Sequence, residues 1–188
     1  MGGGEINLEL LATSLVKAGS KVSVLTSSFQ CISNYERKEG VQIFRRLKTG
    51  GSPTGILDNL KRSTIFPSSI IKEVKNILKE KEFDVIHFIG TSIIAAKKLS
   101  RSNIPLFATI ESYPTLWPKG DRLYKGKKEC KFVCSFGKFV PCQFNSSEIG
   151  KTKNRFYLRY NPLFWFYLYF FHKRLRNSLK YCKLIAIS

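Results

Sequence analysis

Apolar and polar positions divide the chain into short strands alternating with amphipathic helices. From Ile6, the apolar residues Leu8, Leu11, Ala12 and Leu15 recur at helical spacing, and Gly19 stands where a helix commonly ends. The spacing predicts a helix entered from the glycines at 2–4. Residues 21–26 alternate and are rich in β-branched side chains, which predicts a strand, and residues 41–44, after Glu39 and Gly40, predict another. Residues 48–54, with Gly50, Gly51 and Pro53, read as a loop. Past Pro67, the set Ile70, Ile71, Val74, Ile77 and Leu78 predicts a helix with a lysine-rich outer face.

Residues 83–90 form a compact apolar run closed by a glycine, the pattern of a buried parallel strand. A short helix over 91–99 and a strand over 105–110, with its proline confined to the start, follow. Residues 111–150 show no sustained period and read as a long irregular excursion. A helix over about 162–181 and a strand over 184–187 close the chain. Strands alternating with helices predict an α/β fold, a Rossmann-like parallel sheet flanked by helices in one domain over 1–188. A glycine-led helix of this kind normally follows a strand, so the first strand is expected to be missing; the chain also stops directly after a strand, where such folds place a ligand-facing loop.

Composition narrows the chemistry. The 188 residues carry 32 Lys+Arg against 13 Asp+Glu, a formal charge of +19, which favours an anionic partner: nucleic acid, a phospholipid surface or a phosphorylated substrate. A hydrophobic content of 43% excludes a wholly disordered chain. No run reaches the roughly 18 to 20 apolar residues of a membrane span, and the N-terminus lacks the basic-then-apolar order of a secretory signal. The default address is cytoplasmic, with reduced thiols.

Several stretches carry a resemblance when read in order. Residues 2–12 and 15–26, Glu39-Gly40-Val41 before a strand, Asp84-Val85-Ile86-His87, Ile104-Pro105 before Ala108-Thr109-Ile110, and the closing 184–188 fall as landmarks do in family-4-like glycosyltransferases of the GT-B fold. The sequence resembles the N-terminal domain of that family along nearly its whole length. The resemblance implies the acceptor-side half of a retaining, metal-independent enzyme that needs no cofactor and takes a nucleotide-sugar as co-substrate. By the resemblance, the C-terminal donor-binding domain is expected to be absent from this chain and supplied in cis or trans, and the chain alone is expected to be inactive. No nucleic acid is expected as a partner. A basic nucleic-acid-binding module and a non-catalytic remnant of a transferase are the rival readings.

The resemblance also singles out residues. Gly3 and Gly4 lead into a helix whose free N–H groups and dipole favour an anion, which makes them a loop near donor phosphates or acceptor; the plainer reading is relief of crowding in a turn. His87 is expected at the end of a strand, reaching a cleft as a substrate contact, or else packed and hydrogen-bonded. Glu111 stands where the family usually has a catalytic histidine. A carboxylate accepts a hydrogen bond from a sugar hydroxyl but cannot donate as imidazolium does. Ser112, Tyr113 and Trp117 continue that loop as substrate contacts or as packing. Cys130, Cys134 and Cys142 make three thiols where structural zinc needs four ligands, so no metal is expected.

The C-terminal region concentrates cations and rings. After Glu148 there is no acid, and residues 163–171 are nine successive apolar or aromatic residues that cannot all face one core. Trp165, Phe166, Lys173 and Arg174 are therefore candidates for contact with an anionic membrane surface, peripheral at the inner face, with a core helix bearing a solvated basic face as the alternative.

Overall fold

A computed structural model describes residues 3–28, 31–49, 56–111, 123–124, 127–130, 134–146 and 160–187. It has an α/β fold in which parallel strands are flanked by helices, grouped into two compact units: 1–84 with 101–104, and 85–100 with 105–188.

In the first unit, helix α1 (Gly3–Lys17) leads to β1 (Ser23–Ser27), the hairpin β2 (Tyr35–Lys38) and β3 (Val41–Leu47), and helix α2 (Ile56–Glu80). The end of α1 follows from its sequence. Gly19 adopts φ +91°, its N–H donates to the carbonyl of Val16, and the N–H of Ser20 donates to that of Leu15. This paired closure satisfies carbonyls that the last turn would otherwise leave open, and the left-handed backbone is most easily adopted by glycine. β3 is central, parallel to β1 and antiparallel to β2. The periodicity missed β2, which carries three charged residues in four. Its partner explains it, because a two-residue turn with Glu39 at φ 49° and Gly40 at φ 81° closes a tight hairpin. Tyr35 then packs on Phe44 with ring centroids 5.3 Å apart.

α1 packs against β3 with Ala12 buried, while Ile6, Leu10, Leu11 and Leu15 remain exposed. An ion pair joins α1 to the hairpin, Lys38 Nζ to Glu9 Oε1 at 2.6 Å. That hydrogen bond raises the pKa of Lys38, but both groups are wet and the pair contributes little to stability. α2 begins well before the expected start, with Pro67 inside it. A proline removes an intrahelical donor and costs about 3 kcal/mol in a helix interior. Pro67 is fully buried here, alongside Ser63, Ile70 and Ile77 at helical intervals, and that tertiary burial outweighs the local cost.

In the second unit β4 (Ile86–Ile89), β5 (Leu106–Ile110) and a last strand, Leu184–Ile187, form a parallel sheet with β5 central. A 3-10 turn over Gly90–Ala95 runs into α3 (Ala96–Leu99) and a second 3-10 turn, so the expected single helix over 91–99 is a broken one. Its side chains Ile93, Ile94, Ala95, Ala96 and Leu99 are buried, as are Phe88, Leu106, Ala108 and Ile110 on one face of the sheet. Each large apolar group so buried contributes on the order of 1.5 to 3 kcal/mol. The expected irregular excursion is corrected in two places. Strands β6 (Leu123–Tyr124) and β7 (Lys128–Glu129) make a small hairpin, and residues 136–146 form helix α4 (Phe136–Ser146), with Pro141 inside it and Phe139 buried.

The last helix, α5 (Pro162–Ser178), starts at the expected residue. Asn161 caps it, its Oδ1 accepting from the N–H of Leu163 at 2.9 Å and of Phe164 at 3.4 Å, and Pro162 takes the first position, where no N–H is needed. A 3-10 turn over Leu179–Tyr181 joins it to the closing strand, β8 (Leu184–Ile187). The strands expected at 21–26, 41–44, 84–89, 105–110 and 184–187 are all present, and their pairings in the two sheets are parallel.

Candidate active site

The candidate residues His87 and Glu111 lie within and directly after strands of the second unit's sheet. Parallel pairing sets His87 beside Phe107 and Ile89 beside Thr109. Alternation along the strands puts these four on the face opposite Phe88, Leu106 and Ala108. That face is the more open one, with Phe107 and Thr109 half-buried and His87 exposed.

His87 Nε2 lies 2.8 Å from Thr109 Oγ1. Although the residue as a whole is exposed, its imidazole is partly desolvated against the sheet, which disfavours the cation and lowers its pKa from 6.5. His87 is thus a neutral hydrogen-bonding group near pH 7. It sits second in β4 rather than at the strand end, and its partner Thr109 lies near the end of β5. The tip of β4 is pinned separately by Ser92, whose hydroxyl accepts from the N–H of Ile89 at 3.0 Å and donates to its carbonyl at 2.9 Å. Glu111 directly follows β5, half-buried and two residues past Thr109. Sequence alone does not mark Thr109 as a site residue. Only the register between β4 and β5 reveals it, and no local pattern carries that information.

The other candidates distribute differently. Gly3 and Gly4 belong to the first unit and form the opening turn of α1 instead of a loop before it. Their N–H groups remain among the first-turn donors without an intrahelical acceptor. Ser112, Tyr113 and Trp117 lie outside the described residues. Cys134 is near enough to Cys130 and Cys142 to feel both; burial first, then these neighbours, raise its pKa, so it is a protonated thiol. Among the described residues no group of three or more His, Cys, Asp or Glu is placed to hold a metal ion. Trp165 requires a correction. It is only 3% exposed, packed into the second unit, and cannot be a membrane contact, whereas Phe166, Lys173 and Arg174 are exposed. Among the described residues no helix is long and apolar enough to cross a membrane.

The fold places the chain in the class of α/β proteins whose parallel strands are flanked by helices, and that fold is GT-B-like. A solved structure shares it: a sucrose-phosphate synthase from Thermosynechococcus elongatus, with a TM-score of 0.51 and 18% identity over 64% of this chain. The match spans 30% of the synthase's chain, and at this identity the likeness is one of fold. No protein-family model matches the sequence, and no curated protein is significantly similar to it.

Proposed function

We propose that this chain is the acceptor-side part of a sugar transferase, acting with a donor-holding domain supplied in cis or trans. The observation that carries the reading is the open face of the β4–β5 sheet, where a neutral His87 is held by Thr109 and a carboxylate, Glu111, follows the strand end. The fold likeness to a sucrose-phosphate synthase supports the same class of chemistry. In that reaction the acceptor hydroxyl oxygen bonds to the anomeric carbon of the donor. The nucleoside diphosphate leaves with the electron pair of the broken bond, and the hydroxyl proton passes to the leaving phosphate. His87 and Glu111 would orient the acceptor through hydrogen bonds to its hydroxyls, and catalysis would be positional and electrostatic, needing neither metal nor cofactor. Retention at the anomeric carbon belongs to the same reading.

The test uses the full chain. Titration with free and phosphorylated sugars, followed by saturation-transfer NMR, should detect weak saccharide binding. His87→Ala should weaken it by at least about fivefold, the loss of one hydrogen bond of about 1 kcal/mol. Mixed with nucleotide-sugars and acceptors, the chain alone should show no transfer. Turnover by the isolated chain would refute the half-enzyme reading, and binding unchanged in His87→Ala would refute the acceptor face.

A further inference from the structure

Helix α5 solves the problem posed by its nine-residue apolar run by dividing it between two environments. Trp165, Leu175 and Ser178 are buried in the second unit. Leu163, Phe166 and Phe170, spaced i, i+3 and i+7, fall on one line of the helix and remain 75%, 46% and 55% exposed. Lys173 and Arg174 continue that line, both exposed. At 1.5 Å per residue the ridge from Leu163 to Arg174 is about 16 Å long, apolar at one end and cationic at the other.

The ridge is held in shape. The ring of Phe166 stacks on Phe136 at 4.2 Å between centroids and lies parallel to Phe170 at 6.3 Å; Phe170 meets Tyr169 edge to face at 5.4 Å. Lys173 Nζ sits 6.0 Å from the centre of the Tyr169 ring. An exposed apolar line that is rigid costs little conformational entropy on burial.

We propose that this ridge docks the protein on an anionic membrane surface, with Leu163, Phe166 and Phe170 entering the headgroup–acyl boundary and Lys173 and Arg174 on lipid phosphates. Three observations select this occupant. The sequence has no acid after Glu148, so no carboxylate on the helix competes for the cations. One face of the Phe166 ring is stacked on Phe136, so that ring cannot be sandwiched between bases, whereas acyl chains require no free ring face. A second copy would bring together two chains that each carry a formal charge of +19, which opposes association. An apolar stretch beside a basic one is the composition of an interfacial helix. The proposal does not depend on the sugar-transfer reading.

The test is sedimentation of the full chain with vesicles of phosphatidylcholine alone and of phosphatidylcholine mixed with phosphatidylserine. Partition should favour the anionic vesicles by at least about tenfold. It should fall when NaCl rises from about 0.1 M to about 1 M, which shortens the screening length from about 10 Å to about 3 Å. Lys173→Gln with Arg174→Gln should weaken anionic partition by about 30-fold, the effect expected of two cations near the surface. Phe170→Trp supplies a second readout that needs no loss of binding: its added emission should shift to the blue on anionic vesicles. Equal partition to both lipids, or an unshifted Phe170→Trp emission, would overturn the proposal. So would concentration-dependent dimers abolished by Phe170→Ser without vesicle binding, or capture by a homopolymeric RNA in place of vesicles.

Discussion

Replacing Gly40 with alanine should destabilise the first unit through two separable effects. The first is backbone strain. Gly40 has φ +81°, and an L-residue held in that region costs about 1 to 2 kcal/mol. The second is a collision. A Cβ at this position would lie 2.6 Å from Val16 Cγ1 on α1, well inside the usual 3.5 to 4.0 Å of a carbon contact. Val16 is β-branched and held to one χ1 rotamer by its helix, so relief requires moving the hairpin turn away from α1. Overpacking of this kind costs typically about 1 to 3 kcal/mol. The sum, about 2 to 5 kcal/mol, is a large fraction of the roughly 5 to 15 kcal/mol that holds a domain together. Urea denaturation followed by circular dichroism, on Gly40→Ala, Val16→Ala and the double variant, separates the terms. Val16→Ala removes Cγ1, so the double variant should recover the collision and retain only the strain, a coupling of at least about 1 kcal/mol. A coupling below about 0.5 kcal/mol would refute the close approach, and a Gly40→Ala variant as stable as the parent would refute both terms.

Two further outcomes follow from the second unit. Because burial lowers the pKa of His87 from 6.5, the folded state binds fewer protons than the unfolded state below that value. Stability should decline as pH falls through about 6.5 toward the lower folded pKa and be unaffected above it. His87→Gln should flatten that part of a melting-temperature profile, and a profile of unchanged slope would contradict the assignment. Asn161→Ala removes the cap from the N–H groups of Leu163 and Phe164 and should cost about 1 kcal/mol, or about 2 to 4 °C in melting temperature; a change below about 0.2 kcal/mol would show that the cap is replaced.

What the sequence determined by itself is the set of elements whose causes are local. Gly19 ends α1 because a left-handed residue is needed there, Asn161 and Pro162 start α5 because a cap and a fixed φ are needed there, and the apolar runs at 84–89 and 105–110 form strands because β-branched side chains fill a sheet. Each is written within a few residues of where it acts. The resemblance rests on the same local landmarks, and the likeness to a solved structure agrees with the fold it implies. Glu39-Gly40-Val41 acquires a physical meaning there, as a tight turn pressed against α1.

The tertiary structure alone decided the rest. Pro67 reads as a helix boundary because the local cost of a proline is visible in sequence, whereas the burial that outweighs it belongs to distant partners. β2 has no apolar alternation and exists because β3 offers it a ladder. The pairing of His87 with Thr109 depends on the register of two strands twenty residues apart, and a shift of one residue would send each side chain to the opposite face. Trp165 and Phe166 are neighbours of similar character, yet one is buried and the other exposed, because adjacent residues on a helix point about 100° apart and only packing chooses which direction is the core.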